Sequence, residues 1–327
     1  MFDEEQFKNF TLVKLGAKFR YNEMDLIDFL RQNDLLTRFC LCSRCGSDMA
    51  TKQYSRSIDN QLVWRCQTPN CRKTNSLRVK SFFEQCLLKL WQAFGLTLEW
   101  SKSAGSSRGS SYENIMMELE IGSPNTIVDW MQFCRDICVQ HFVVNSVKIG
   151  GPGKIVEIDE SLFARRKYNV GHIVEQQWIF GGYDRESKTG FLIPVQNRSS
   201  ETLLPLIQQY ILPGSIIYSD QWPAYNGIVH IPGMNYQHFT VCHDRNFVDP
   251  VTGVHTNGVE GMWSRAKSKF KAMHGTSRGL LVDYLAEFMF KQRYPKHTFM
   301  HFWKFVTQIY PLNPQPQDDE EVIEISE

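Results

Sequence analysis

The sequence predicts an α/β protein, with a mixed-sheet domain over 150–294 preceded by a small cysteine-anchored module and a helical region. Three observations predict this. Two cysteine pairs, Cys42/Cys45 and Cys66/Cys71, stand early in the chain. From about residue 150, short β-like runs alternate with helical stretches. Three acids are spread over a hundred residues: Asp159 and Asp220 end β-like runs, and Glu260 lies in a helical stretch. The 327 residues exceed one ordinary domain. The divisions read from the chain are 1–39, 40–80, 81–149, 150–294 and 295–327.

Segment 1–39 is helical near its end, where Met24, Ile27 and Leu30 recur at helical spacing. Segment 40–80 holds a C-x2-C pair and a slightly wider C-x4-C pair, about twenty residues apart. That gap fits a β-hairpin, with 61–66 as its return strand. Four thiolates in two knuckles make a tetrahedral, closed, structural Zn2+ site. The expected ligands are Cys42, Cys45, Cys66 and Cys71, with Cys40 as a possible alternative. Cys86, Cys134, Cys138 and Cys242 fall in apolar patterns and read as core.

Segment 81–149 opens on an apolar helix-like run with Phe82, Phe83, Leu87, Leu88, Leu90 and Trp91. A Ser/Gly-rich stretch from Ser101 to Ser111 reads as a linker. Residues 112–131 read as helix, Gly-containing turn and helix, a helix-turn-helix pattern, with Ser123 as cap and Pro124 in the first turn. Any helical hairpin shares that pattern, and its second helix is poor in Lys and Arg.

The Gly150-Gly151-Pro152-Gly153 stretch opens the next domain. β-like runs at 155–159, 178–183 and 191–195 lead to an amphipathic helix at 200–207. A run ending at Asp220, another at 237–243 and a long helix holding Glu260 follow. This order matches a ribonuclease-H-like mixed sheet. Segment 295–327 reads as a C-terminal helix and an acidic tail.

No apolar run reaches the ~18 residues that span a bilayer, so no membrane partner is expected. The acidic start, Met1-Phe2-Asp3-Glu4-Glu5, has no secretory character. An intracellular protein with reduced cysteines is expected. Net charge is only +1, but a basic cluster after Glu260 and an acidic C-terminus can hide DNA affinity from the sum.

Two acids at strand ends and a third on a later helix can converge at one edge of a sheet. There they could hold two Mg2+ or Mn2+ ions, the apparatus for cutting and joining phosphodiesters. Arg165, Arg166 and Lys167, with Arg265, Lys269 and Lys271, form a candidate track for the DNA backbone. Trp222 and Trp263 either stack on bases or fill the core, and His243 either lines the site or is structural. Glu160 alternates away from Asp159 and is a poorer ligand candidate.

The block Val156-Glu157-Ile158-Asp159-Glu160-Ser161 resembles the first catalytic block of the ISXO2-like DDE transposases, a family of bacterial insertion elements that includes the eukaryotic Merlin transposons. Further blocks agree in order over roughly 150–294. They are Trp178–Gly182, Pro194–Glu201, Ile217–Asp220 with Trp222 and Ala224-Tyr225, Asn246–Pro250, and His255–Asn257 with Val259–Gly261 and Trp263. The resemblance implies cut-and-paste transposition by cleavage and strand transfer on double-stranded DNA, at terminal inverted repeats and a target. It also implies assembly of a homo-oligomer on DNA, and a nuclear site in a eukaryotic host. Some members are described with Asn as third residue and others with Glu. Both Asn257 and Glu260 stand here, three apart on one helical face. Glu260 is favoured because a carboxylate binds these ions better than an amide. Lys267, two turns further on, matches a basic residue expected after the acid. The alternative function is a domesticated, non-transposing DNA-binding protein that keeps the fold; a structure-specific nuclease is a third possibility.

Overall fold

The computed structural model describes residues 2–8, 10–53, 62–102, 111–163, 177–242, 253–273 and 276–312. Helices are α1 (Glu4–Phe7), α2 (Leu12–Leu15), α3 (Glu23–Gln32), α4 (Leu90–Lys102), α5 (Tyr112–Leu119), α6 (Pro124–Val144), α7 (Ser200–Tyr210), α8 (Asn257–Ala272), α9 (Arg278–Arg293) and α10 (Thr298–Ile309). Strands are β1 (Met49–Gln53), β2 (Leu62–Cys66), β3 (Thr74–Ser76), β4 (Ile149–Gly150), β5 (Ile155–Phe163), β6 (Gln177–Asp184), β7 (Gly190–Val195), β8 (Ile211–Leu212), β9 (Ile216–Ser219) and β10 (Gln237–Thr240). The chain divides into two compact units. Unit 1 comprises 1–99, 112–130 and 299–327, and unit 2 comprises 100–111 and 131–298.

Unit 1 holds an antiparallel sheet in the order β1-β2-β3. Its second core is aromatic. Phe7, Phe10, Phe29, Phe94 and Phe299 meet within 6.3 Å, centroid to centroid. The run from Phe82 to Leu88, expected to be helical, instead forms turns, and α4 starts at Leu90. A buried arginine is the physical reason. The Arg78 guanidinium donates to the Cys86 carbonyl at 2.6 Å, and the Ser81 hydroxyl donates to the Arg78 carbonyl at 2.6 Å. These local bonds satisfy the backbone without a helix.

The helices α5 and α6 are joined by residues 120–123. Glu120 adopts φ +53°, and the Ile121 N–H reaches back to the Met116 carbonyl at 3.0 Å, closing the first helix. The Ser123 hydroxyl accepts from the Asn125 N–H at 3.2 Å and Pro124 opens the second helix, as the sequence predicts.

Unit 2 is built on a five-stranded mixed sheet in the order β10-β9-β5-β6-β7. Strands β5, β6 and β7 are antiparallel neighbours, while β9 joins β5 in parallel and β10 joins β9 in parallel. Both faces of β5 are covered. On one, Ile158 pairs across to Gly182 and Phe191, and Phe191 stacks on Tyr210 of α7 at 4.9 Å. On the other, Glu157 and Asp159 lie beneath α8. This two-sided cover explains why the strands read as apolar runs rather than strict alternations.

Candidate active site

The register of β5 and β9 sets two of the three predicted acids side by side. The parallel pairing ends at Glu157↔Tyr218. Two residues on from that pair stand Asp159, within β5, and Asp220, one residue past the end of β9, and the Asp220 charge acts on Asp159. The period of two puts Asp159 on the face that carries Glu157.

The third acid is brought in by α8, and three features dock that helix. The indole N–H of Trp263 donates to Asp159 Oδ2 at 3.1 Å. Gly181, opposite Asp159, makes room, since a Cβ there would lie 2.7 Å from the Trp263 ring. Gly258 does the same, because its Cβ would lie 2.5 Å from the Tyr183 ring and 2.8 Å from Glu157 Oε2. Glu260 then sits one turn into the helix, held by the Thr256 hydroxyl at 3.2 Å. Asn257 is exposed at the first helical position.

A buried polar clamp, unread in the sequence, pins the start of α8. Glu157 is wholly buried and accepts the Val259 N–H at 2.9 Å, capping the helix from a distant strand. Its other oxygen takes the Arg185 guanidinium at 2.5 Å. Arg185 also donates to the His255 carbonyl at 2.8 Å and approaches His255 Nδ1 at 2.9 Å. The Asn257 N–H also points at Nδ1, at 3.4 Å, so this nitrogen acts as an acceptor. The available signal was that Glu157 shares a strand face with Asp159.

The electrostatics call for a cation. Burial and the Asp220 charge push Asp159 up to about 7, against the hydrogen bonds from the Glu160 N–H and Trp263. On the opposite face, burial pushes Glu160 up to about 7 as well. The Tyr225 hydroxyl lies near enough to oppose that rise but makes no hydrogen bond of good geometry, and Glu160 Oε1 has no hydrogen-bond partner.

Residues 150–293 match the ISXO2-like transposase domain. This region of the chain is similar to that domain. An uncharacterized transposase-like protein of Haemophilus influenzae is 28% identical over 97 residues, 30% of this chain and 75% of that one. The male abnormal protein mab-31 of Caenorhabditis elegans is 27% identical over 212 residues, 58% of this chain and 47% of that one. This chain therefore matches about half of the nematode protein. Among solved structures, the HTLV-2 integrase catalytic core with magnesium aligns at TM-score 0.28 and 14% identity, over 43% of this chain and 84% of that one. A pre-cleavage Mos1 transpososome aligns at TM-score 0.23 and 9% identity, over 68% and 80%.

Within the ISXO2-like domain, Lys267 projects along α8 toward the Phe163 ring, 5.7 Å away. Burial lowers its pKa while the Asp159 charge opposes this. Arg265 and Lys271 are exposed on the same helix. Lys269 departs from the expected backbone track: its ammonium binds the buried Glu287 carboxylate at 2.6 Å, inside the fold. Arg165, Arg166, Lys167 and His243 lie outside the described residues. Trp263 is core, at 5% exposure, and Trp222 is half-buried, its backbone N–H donating to Asp220 Oδ1 at 3.0 Å.

The four cysteines of unit 1 come together as the spacing predicts. The sulfurs of Cys42, Cys45, Cys66 and Cys71 all lie within 4.8 Å of one another. Among the described residues this is the one group of three or more such side chains drawn so close, and the three carboxylates are spaced more loosely. The Ser47 hydroxyl and N–H, with Thr68, hold the Cys45 thiol down to about 5. The Lys73 N–H favours the Cys71 thiolate, but burial and the neighbouring thiols push it up to about 11. Four convergent sulfurs, one of them readily ionised, fit a tetrahedral Zn2+ ion. Among the described residues, no helix is long and apolar enough to cross a membrane.

Proposed function

We propose that this chain is a DDE transposase that binds the ends of its element, cleaves DNA there and joins the freed ends to a target. One observation supports the reading: Asp159 on β5 and Asp220, just past the end of the adjacent parallel strand β9, interact electrostatically, and Glu260 lies on the helix whose Trp263 docks on Asp159. Asp159, Asp220 and Glu260 would hold two Mg2+ or Mn2+ ions. When bound, such ions activate water or a DNA 3′-hydroxyl for in-line attack and stabilise the leaving oxygen.

The chain's own residues have distinct tasks. Asp159 is oriented by Trp263, Asp220 by the Trp222 N–H and Glu260 by Thr256, so their oxygens are aimed before any ion arrives. Lys267, lodged near Asp159, would hold a phosphate of the bound strand. Arg265 and Lys271 would track the backbone, and Lys269 has no place there because Glu287 holds it. Asn257 is an auxiliary ligand or DNA contact at the helix start. The cysteine cluster would bind one structural Zn2+, and α5 with α6 would act as a helix-turn-helix in end recognition. Pairing of two ends asks for a homo-oligomer on DNA, and in a eukaryotic host the site of action is the nucleus.

The test is strand cleavage and transfer on DNA carrying the element's own ends, with Mg2+ or Mn2+. Loss of activity in Asp159→Ala, Asp220→Ala and Glu260→Ala, with partial activity in Asn257→Ala, supports the reading. Full activity in Glu260→Ala with loss in Asn257→Ala moves the third ligand. Tight end binding by a wild type that neither cleaves nor joins supports a domesticated DNA-binding protein instead.

A further inference from the structure

Arg198 occupies an unusual position beside the acidic edge. Its guanidinium lies between two indoles, 4.1 Å from the Trp178 centroid and 4.3 Å from that of Trp222. The Trp222 indole N–H donates to the Arg198 carbonyl at 2.9 Å, locking ring and backbone together. The same Trp222 caps Asp220 through its own N–H. Yet among the described residues the guanidinium has no hydrogen-bond or ion-pair partner. Glu160 senses its charge, but forms no ion pair with it and keeps an orphaned oxygen.

This cation is on the far face of the sheet from Asp159. Trp178 pairs with Leu162, which shares a strand face with Glu160. The two faces meet where β9 stops at Ser219 and the chain turns through Asp220 to Trp222. On the transposase reading, a DNA strand bound at Asp159 and Asp220 would pass that edge. A guanidinium held within 4.3 Å of two ring centroids has given up rotamer freedom, while its N–H groups have no partner among the described residues. Those groups match a phosphodiester, which accepts two parallel N–H bonds.

We propose that Arg198, held between Trp178 and Trp222, is a phosphate-binding residue for the DNA strand flanking the cleavage site. The inference rests on the transposase reading for its substrate class. Arg198 binds a phosphate other than the scissile one, so it sets affinity rather than the rate of the chemical step. The competing role is packing, with Arg198 as a spacer between two tryptophans.

The experiment measures binding of a random-sequence duplex by the full chain across salt concentrations, in wild type, Arg198→Met and Arg198→Lys. Methionine refills the space between the rings without charge, and lysine keeps the charge without the fork. In Arg198→Met the slope of log K against log salt is expected to fall by about 0.9, with affinity down about tenfold or more at low salt. Arg198→Lys should keep the wild-type slope. Thermal unfolding of both variants checks that they fold. A folded Arg198→Met with the wild-type slope overturns the proposal, as does equal weakening in both variants with equal loss of Tm. A wild type that does not bind the duplex overturns it too. The two readings fail separately: a lowered slope in a protein that never cleaves leaves Arg198 standing, and cleavage with an unchanged slope leaves the transposase standing.

Discussion

Asp159 is a carboxylate that burial and a neighbouring like charge both drive toward protonation, opposed by the Glu160 N–H and the indole of Trp263. Replacing Trp263 with Phe keeps the ring and removes the donor. We expect a stability cost of about 1.5–3 kcal/mol for a lost bond to a charged group, read by chemical denaturation. Cleavage should fall with it, because Asp159 is then free to turn. Gly181→Ala acts on the same contact by overpacking, since its Cβ would stand 2.7 Å from the Trp263 ring. It should cost about 1–3 kcal/mol in the same assay. At this scale the acids themselves were legible in the sequence, because strand ends and a helical stretch are local patterns. Arg198 and the Glu157–Arg185–His255 clamp were not. Their partners lie up to 102 residues away in the chain, and nothing in a local pattern announces such a meeting.

Helix α8 is the element on which the proposed chemistry turns, and Glu157 is its anchor. Glu157→Gln keeps an acceptor for the Val259 N–H but removes the charge that holds Arg185. Glu157→Ala removes both and leaves Arg185 without its buried partner. We expect Glu157→Ala to lose about 3–5 kcal/mol of stability, with Glu157→Gln intermediate. In cleavage assays the alanine variant should lose turnover more than DNA affinity, since α8 carries Glu260 while the exposed cations remain. Equal wild-type turnover in Glu157→Ala would remove the clamp from the account of the site. A second anchor holds the other end of the helix. Glu287 of α9 binds Lys269 of α8 at 2.6 Å and Lys291 at 2.6 Å, and Arg135 stands 3.9 Å away. Helix α8 was legible in the sequence, but α9 and this ion cluster were not, and that is why Lys269 reads from sequence as a DNA contact.

For the whole molecule, acid sensitivity follows from that cluster. Burial raises the pKa of Glu287, but Lys291 and Lys269 outweigh it and hold the carboxyl down to about 2. A folded pKa below the ordinary 4.5 means the stabilisation is fully present above about pH 4.5 and fades as pH falls toward 2. The stability difference between wild type and Glu287→Gln should therefore be constant from neutral pH down to about 4.5 and shrink below it. A difference that grows on acidification would refute the sign. The cysteine cluster makes a separate prediction for the metal content. Purified protein should carry one zinc per chain by elemental analysis, and Cys66→Ser should carry none and unfold its module. Zinc retained in that variant would assign it elsewhere.

By itself the sequence determined most of the strands and the helix after them in the mixed-sheet domain, the thiol set and three candidate acids. Each of these is written in short-range spacing: alternation along a strand, periodicity along a helix, C-x2-C and C-x4-C. Only the tertiary structure decided that the Asp220 charge acts on Asp159, because the pairing of β5 with β9 joins residues about sixty apart in the chain. It also decided that 82–88 turns rather than coils, that Lys269 is internal, and that Glu157 and Arg198 are placed where they are. Those outcomes depend on the desolvation of charged groups, and a buried charge takes whatever partner the fold brings to it.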